Sequence, residues 1–159
     1  MPREPRSQRN LLIGDVLQIH TKKGFVYAQC THKLPFFGHL IRILPGFHKI
    51  AVDDIEGLAS ETETFYTFVL WNKDVDRKKM HIVGRTEVPE RCQPLPLFKG
   101  GTVDPKIKKI SAWWLWDGKK EWYMGKLKKD QKDLPMRLIM SYESLIYRLE
   151  IGWHPRDEA

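Results

Sequence analysis

The stretch Ser111 to Leu127, Ser-Ala-Trp-Trp-Leu-Trp-Asp-Gly-Lys-Lys-Glu-Trp-Tyr-Met-Gly-Lys-Leu, carries four of the six tryptophans of the chain. It also holds the clearest turn signal. Asp117-Gly118 can supply the positive φ that a tight connection between right-twisted strands requires. Aromatic residues flank that turn on both sides, where cross-strand pairs stabilise a sheet. The stretch predicts a hairpin, with strands over Ile110 to Trp116 and Trp122 to Leu127. Lys119, Lys120 and Lys126 stand beside its aromatics. The hairpin can therefore be a packed element or a basic, aromatic contact surface.

Outward from the hairpin, strand signals continue. Gly14-Asp15 introduces a strand over Val16 to His20. Thr21 to Gly24 is a turn, and Phe25 to Thr31 the returning strand. Leu34-Pro35-Phe36-Phe37-Gly38 breaks the chain before a strand over His39 to Leu44. Asp53 to Thr64 is acidic and rich in small residues and reads as a loop. Phe65 to Trp71 is apolar at both alternating faces, as in a central strand. Met80 to Val83 begins another strand. Three prolines, Pro89, Pro94 and Pro96, make residues 88 to 99 an extended surface crossing. Gly100-Gly101 and Asp104-Pro105 continue it as loop. Residues 1 to 10 read as a flexible basic arm, and residues 11 to 159 as one domain.

One helix is expected, near the C-terminal end. Ser141 can cap it, Glu143 suits the positive end of the dipole, and Tyr142, Leu145, Ile146 and Leu149 fall on one face. Gly152 and Pro155 stop it. The predicted fold class is α+β, mainly antiparallel β: a curved sheet or small partly open barrel covered by this helix.

The net charge is +7 over 159 residues, and it is unevenly spread. Residues 99 to 132 hold ten lysines and no arginine against four acids, Asp104, Asp117, Glu121 and Asp130. Such a local excess attracts a polyanion or an acidic protein face. The two cysteines, Cys30 and Cys92, are too few for a disulfide scaffold and suit a reducing compartment. No apolar segment is long enough for a secretory core or a membrane span, so the expected location is the cytoplasm.

Residues spaced for chemistry are few. Cys30 and His32 have the spacing to share a strand face, and His20 and His39 are near in sequence, but no zinc-type pairing of ligands occurs. Cys92 lies in the loop Glu90-Arg91-Cys92-Gln93-Pro94 with no histidine brought to it by sequence. Asp53, Asp54 and Glu56 form an acidic run without the unequal environments that acid–base catalysis needs. No Gly-rich phosphate loop is present. No catalytic set, metal or cofactor is expected.

Several short motifs, in order, resemble the immunity protein 26 family of bacterial polymorphic toxin systems. They are Gly14-Asp15-Val16-Leu17-Gln18-Ile19, then Phe25-Val26-Tyr27-Ala28, then Ile82-Val83-Gly84-Arg85-Thr86-Glu87-Val88-Pro89 with Pro94 to Phe98. A Gly-containing hairpin follows, and the helix ends in Gly152-Trp153. The turn Thr21-Lys22-Lys23-Gly24 is shorter and less Gly-rich than in that family. Gly-Asp-Val before a strand also opens the small-barrel ribonuclease toxins, whose remaining pattern is missing. The resemblance implies a bacterial cytoplasmic protein that binds one cognate toxin domain one-to-one and neutralises it without a reaction of its own. Its contacts would draw on the acids Asp53, Asp54, Glu56, Glu61 and Glu63 or on Lys119, Lys120 and Lys126, with Trp122 and Tyr123 as anchors. The alternative is a small nucleic-acid-binding module that uses the lysines and aromatics of residues 99 to 132.

Overall fold

The computed structural model describes residues 9 to 158. Most of the expected basic arm, residues 1 to 8, lies outside them. Arg9 is held in place: its guanidinium grips Asp15 at 2.6 Å, and its carbonyl accepts from the Trp71 indole.

Among the described residues, nine strands form two sheets. β1 (Asp15–Thr21), β2 (Gly24–Leu34), β3 (Gly38–Ile43) and β4 (Phe65–Val69) make an antiparallel meander. β5 (Met80–Arg85) returns to the outer edge of β1, and the short β9 (Ile139–Met140) adds in parallel to β4. The sheet order is β5-β1-β2-β3-β4-β9, open rather than closed into a barrel. The second sheet has the order β6-β7-β8, from β6 (Phe98–Asp104), β7 (Lys109–Trp116) and β8 (Glu121–Gly125). Several elements depart from expectation, β9 and a 3₁₀ turn at Glu90–Cys92 within the expected extended crossing among them. The segment 98–104 is a strand, not a continuing loop, because Gly100 and Gly101 pair with Trp114 and Trp113. The segment 53–64 contains the short helix α1 (Ile55–Ala59), whose N-terminus Asp54 caps by accepting from Gly57 N–H at 2.9 Å.

The C-terminal helix α2 (Tyr142–Glu150) forms as its periodicity predicts, with Ser141 accepting from the Ser144 amide. Leu145 and Leu149 bury against Leu17, Ile19, Val26, Ile41 and Ile43 on one face of the large sheet. Period-two alternation sends Val16, Tyr27, Leu40 and Phe68 to the opposite face. There α1 and its flanking loop cover Val16 and Tyr27, while the small sheet covers Leu40 and Phe68 with Phe98 and Trp116. Both faces of the large sheet are thus covered, and polar groups on its strands, Gln18, Gln29 and Arg42 among them, are buried with them. Among the described residues, no helix is long and apolar enough to cross a membrane.

Candidate partner-binding surface

The hairpin is built by its turn. Asp117 Oδ1 accepts from the amides of Lys119 and Lys120 at 2.9 and 2.8 Å, and Asp117 N–H donates to the Lys120 carbonyl at 3.1 Å. Gly118 sits at φ +100°, and a Cβ there would come within 2.4 Å of Leu95. The positive φ is what demands glycine, since the Leu95 contact is with the end of a flexible side chain. The turn fixes a register in which Trp114 faces Tyr123, Leu115 faces Trp122 and Trp116 faces Glu121.

Residues directly opposite one another share a face, and neighbours along a strand do not. Trp122 and Tyr123 therefore point to opposite sides of the sheet, and the two expected anchors cannot act together on one flat contact. The tryptophans divide the same way. Trp113 and Trp116 are core, one packed with Leu115, Leu127 and Met136, the other with Phe68 and Phe98. Trp114 and Trp122 stay 42% and 40% exposed, and Tyr123 61%.

One face of the small sheet carries Gly100, Trp114, Trp116, Glu121 and Tyr123, and Arg137 lies across it. The Arg137 guanidinium stacks 4.4 Å from the Trp116 ring and pairs with Glu121 at 2.6 Å. Trp114 and Tyr123 meet edge to face at 5.4 Å. Gly100 presents no side chain opposite Trp114, which leaves a cleft of about 290 Å³ lined by Gly100, Gly101, Trp114, Trp116, Glu121 and Arg137.

The lysines of 99–132 are not one set. Lys99 is fully buried, donating to the carbonyls of Lys132 and Pro155 at 2.6 and 2.7 Å. Burial lowers its pKa to about 8, against the opposing pull of Glu158, Asp133 and Asp157. It is a clamp between β6 and the C-terminal segment, not a surface charge. The other nine, Lys119, Lys120 and Lys126 among them, are exposed. Lys106, Lys108 and Lys109 lie at the β6–β7 turn, and Lys119 and Lys120 at the β7–β8 turn.

The acidic candidates fare differently. Asp53, Glu56 and Glu61 are exposed, but Asp54 is spent on the α1 cap. Glu63 is partly buried between two arginines, at 3.2 Å from Arg42 and 3.0 Å from Arg91. Burial alone would raise its pKa; hydrogen bonds from Arg91 and from the Cys92 thiol outweigh that and hold it below the usual value. The acidic segment is a structural cap with a few outward charges.

The cysteines are buried and free. Burial pushes the Cys30 thiol up to about 12, so it stays protonated. A bulge between Cys30 and His32 breaks the expected common face. His32 instead pairs with Thr31 and the Gln93 carbonyl. Among the described residues, no group of three or more His, Cys, Asp or Glu is arranged to hold a metal.

Three features of this surface escaped sequence reading. Unbroken apolar character at 113–116 hides which tryptophan faces out. Gly100-Gly101 looks like a loop but is the floor of the cleft. Phe36, in the β2–β3 turn, is 99% exposed at φ +69°, an uncommon conformation for an aromatic residue. Its neighbour Phe37 packs on Trp116 at 4.6 Å, so that turn borders the cleft. Comparison with protein-family models, with curated proteins and with solved structures found no match to this chain.

Proposed function

We propose that this is an immunity protein of a bacterial toxin system, acting in the cytoplasm by binding one cognate toxin domain and covering its functional surface. The observation that carries the reading is the small sheet. Exposed Trp114, Trp122 and Tyr123 stand on a strand pair held by buried Trp113 and Trp116, with nine exposed lysines in the same segment. Tight complexes rest on a few aromatic anchors set within a polar rim. The ordered resemblance from Gly14-Asp15-Val16 to Gly152-Trp153 supports the same reading. Of the two charged surfaces, the lysine-bearing one is the better candidate, because Asp54 and Glu63 are committed to internal contacts.

The test is coexpression with the toxin encoded immediately upstream. Cells should survive, and a one-to-one complex should elute on size exclusion. The double change Lys119→Glu and Lys120→Glu should slow association several-fold, about 3–10-fold at low salt, with little effect on dissociation, because complementary charge steers encounter. Death of the cells with no complex recovered would overturn the assignment. The nine exposed lysines also favour a second reading, a nucleic-acid binder, whose affinity would fall steeply with salt.

A further inference from the structure

We infer that the cleft between Trp114 and Arg137 is the centre of the contact, and that it takes a large apolar or aromatic side chain carried on an acidic polypeptide segment. The inference rests on the protein-binding reading above and names the chemistry of that site.

The shape argues first. Gly100 occupies the position opposite Trp114, where any side chain would fill the space beside Arg137. The resulting cleft of about 290 Å³ falls at the lower limit of ligand pockets, roughly 300 Å³. It has room for one large side chain rather than an extended ligand. Its walls are set: Arg137 is stacked on Trp116 and tied to Glu121, and the Trp114 indole is braced by Tyr123. A pre-organised site loses less entropy on binding.

The charge distribution identifies the carrier. The cleft face holds no lysine: its rows are Phe98–Trp116–Glu121 and Gly100–Trp114–Tyr123. Five of the exposed lysines, Lys106, Lys108, Lys109, Lys119 and Lys120, stand at the two turns, at either end of β7, and Lys126, Lys128, Lys129 and Lys132 follow β8. A single-stranded nucleic acid needs cations beside the stacking rings, along the path of its backbone. Here Arg137, the cation stacked on Trp116, is already paired with the Glu121 carboxylate, and Trp114 and Tyr123 meet edge to face rather than offering a common stacking plane. An aromatic cleft whose one ion pair is balanced internally, inside a cationic rim, instead complements a protein segment whose central side chain is apolar and whose flanks are acidic.

The experiment uses polymers of known composition and needs no toxin. The intact protein is titrated with a random glutamate–tyrosine copolymer, with polyglutamate and with an oligouridylate, each followed by tryptophan fluorescence at about 0.15 M salt. The copolymer should bind at least about tenfold more tightly than polyglutamate. Trp114→Ala should cost about tenfold or more, as loss of a central anchor does, and Trp122→Ala less than about twofold. Gly100→Val fills the cleft with Trp114 still present and should reproduce the loss, which separates the site from any misfolding of the Trp114 variant. Equal affinity for the two polypeptides, equal losses at Trp114 and Trp122, tighter binding of the oligouridylate, or no binding at all would each overturn the inference. Protection from toxin without copolymer binding removes the cleft and leaves the immunity reading. Copolymer binding without protection does the reverse.

Discussion

Arg42 is the residue on which the second face of the large sheet depends. It sits in the middle of β3, fully buried, in a row with Gln29 and Tyr66. Its Nε donates to Gln29 Oε1 at 2.9 Å, and its remaining nitrogens reach the Ala59 and Glu61 carbonyls and Glu63. Every one of these acceptors lies in the sheet or in the segment that follows α1 or closes it. Arg42 thus fastens the acidic cap between two apolar clusters, one under α1 and one under the small sheet. Removing one member of a buried ion pair leaves the partner charge without compensation. Arg42→Ala should therefore destabilise the fold by about 3–5 kcal/mol in urea denaturation. A loss below about 1 kcal/mol, the range of exposed pairs, would show that the network is incidental. Nothing local in the sequence marks this arginine: it stands in Leu-Ile-Arg-Ile, and only the register that puts Gln29 beside it shows its role.

Among the elements, the helix and the hairpin were legible for the same reason. Each is specified by residues close in sequence: a cap and an apolar stripe for α2, an Asp-Gly turn between apolar runs for β7 and β8. The structure places both where expected, with α2 at Tyr142–Glu150. Leu145, fully buried between α2 and the large sheet, should cost about 2–5 kcal/mol on change to alanine, read as a shift in denaturation midpoint at constant slope. A change under about 0.5 kcal/mol would place the helix outside the cooperative core. Strand β6 was not legible, because two glycines and a following proline are local turn signals. Its pairing is won by the neighbour: β7 offers a full ladder, and a Cβ on Gly101 would come within 2.5 Å of the Ala112 carbonyl. Strand β9, two residues long, has no local signature at all.

For the molecule as a whole, several titratable groups are sheltered at once, and this sets a pH dependence. Burial lowers the pKa of His39, His81 and His154, with a nearby cation or histidine adding to it in each case. In the unfolded chain histidine titrates near ~6.5. As pH falls below that value the unfolded state takes up protons first, so stability falls, and it does so until the folded-state groups titrate as well. Glu63 has the opposite chemistry but loses in the same direction: its folded pKa is depressed, so its contribution is complete above the unfolded value near ~4.3 and disappears as pH drops through the folded one. Urea midpoints should therefore be level from about pH 7 to 8, decline from about 6.5 to 5, and decline again below about 4.3. A midpoint unchanged between pH 7 and 5 would show that these histidines are solvated in the folded state.

The amino-acid sequence by itself determined the α+β class, the antiparallel hairpins, the C-terminal helix and the uneven positive charge. All of these follow from short-range periodicity, turn chemistry and composition. It named Trp122 and Tyr123 as anchors and Asp53, Asp54, Glu56, Glu61 and Glu63 as an acidic surface without separating outward groups from inward ones. Only the tertiary structure decided that Lys99 is buried, that Asp54 and Glu63 are engaged, and that Trp114 looks into a cleft. The physical reason is that the run Trp113 to Trp116 is apolar at every position. Its alternation then carries no information about which side reaches solvent. That is settled by what the rest of the chain lays against it: Phe68 and Phe98 over Trp116, Met136 and Leu127 over Trp113, and a pair of glycines beside Trp114.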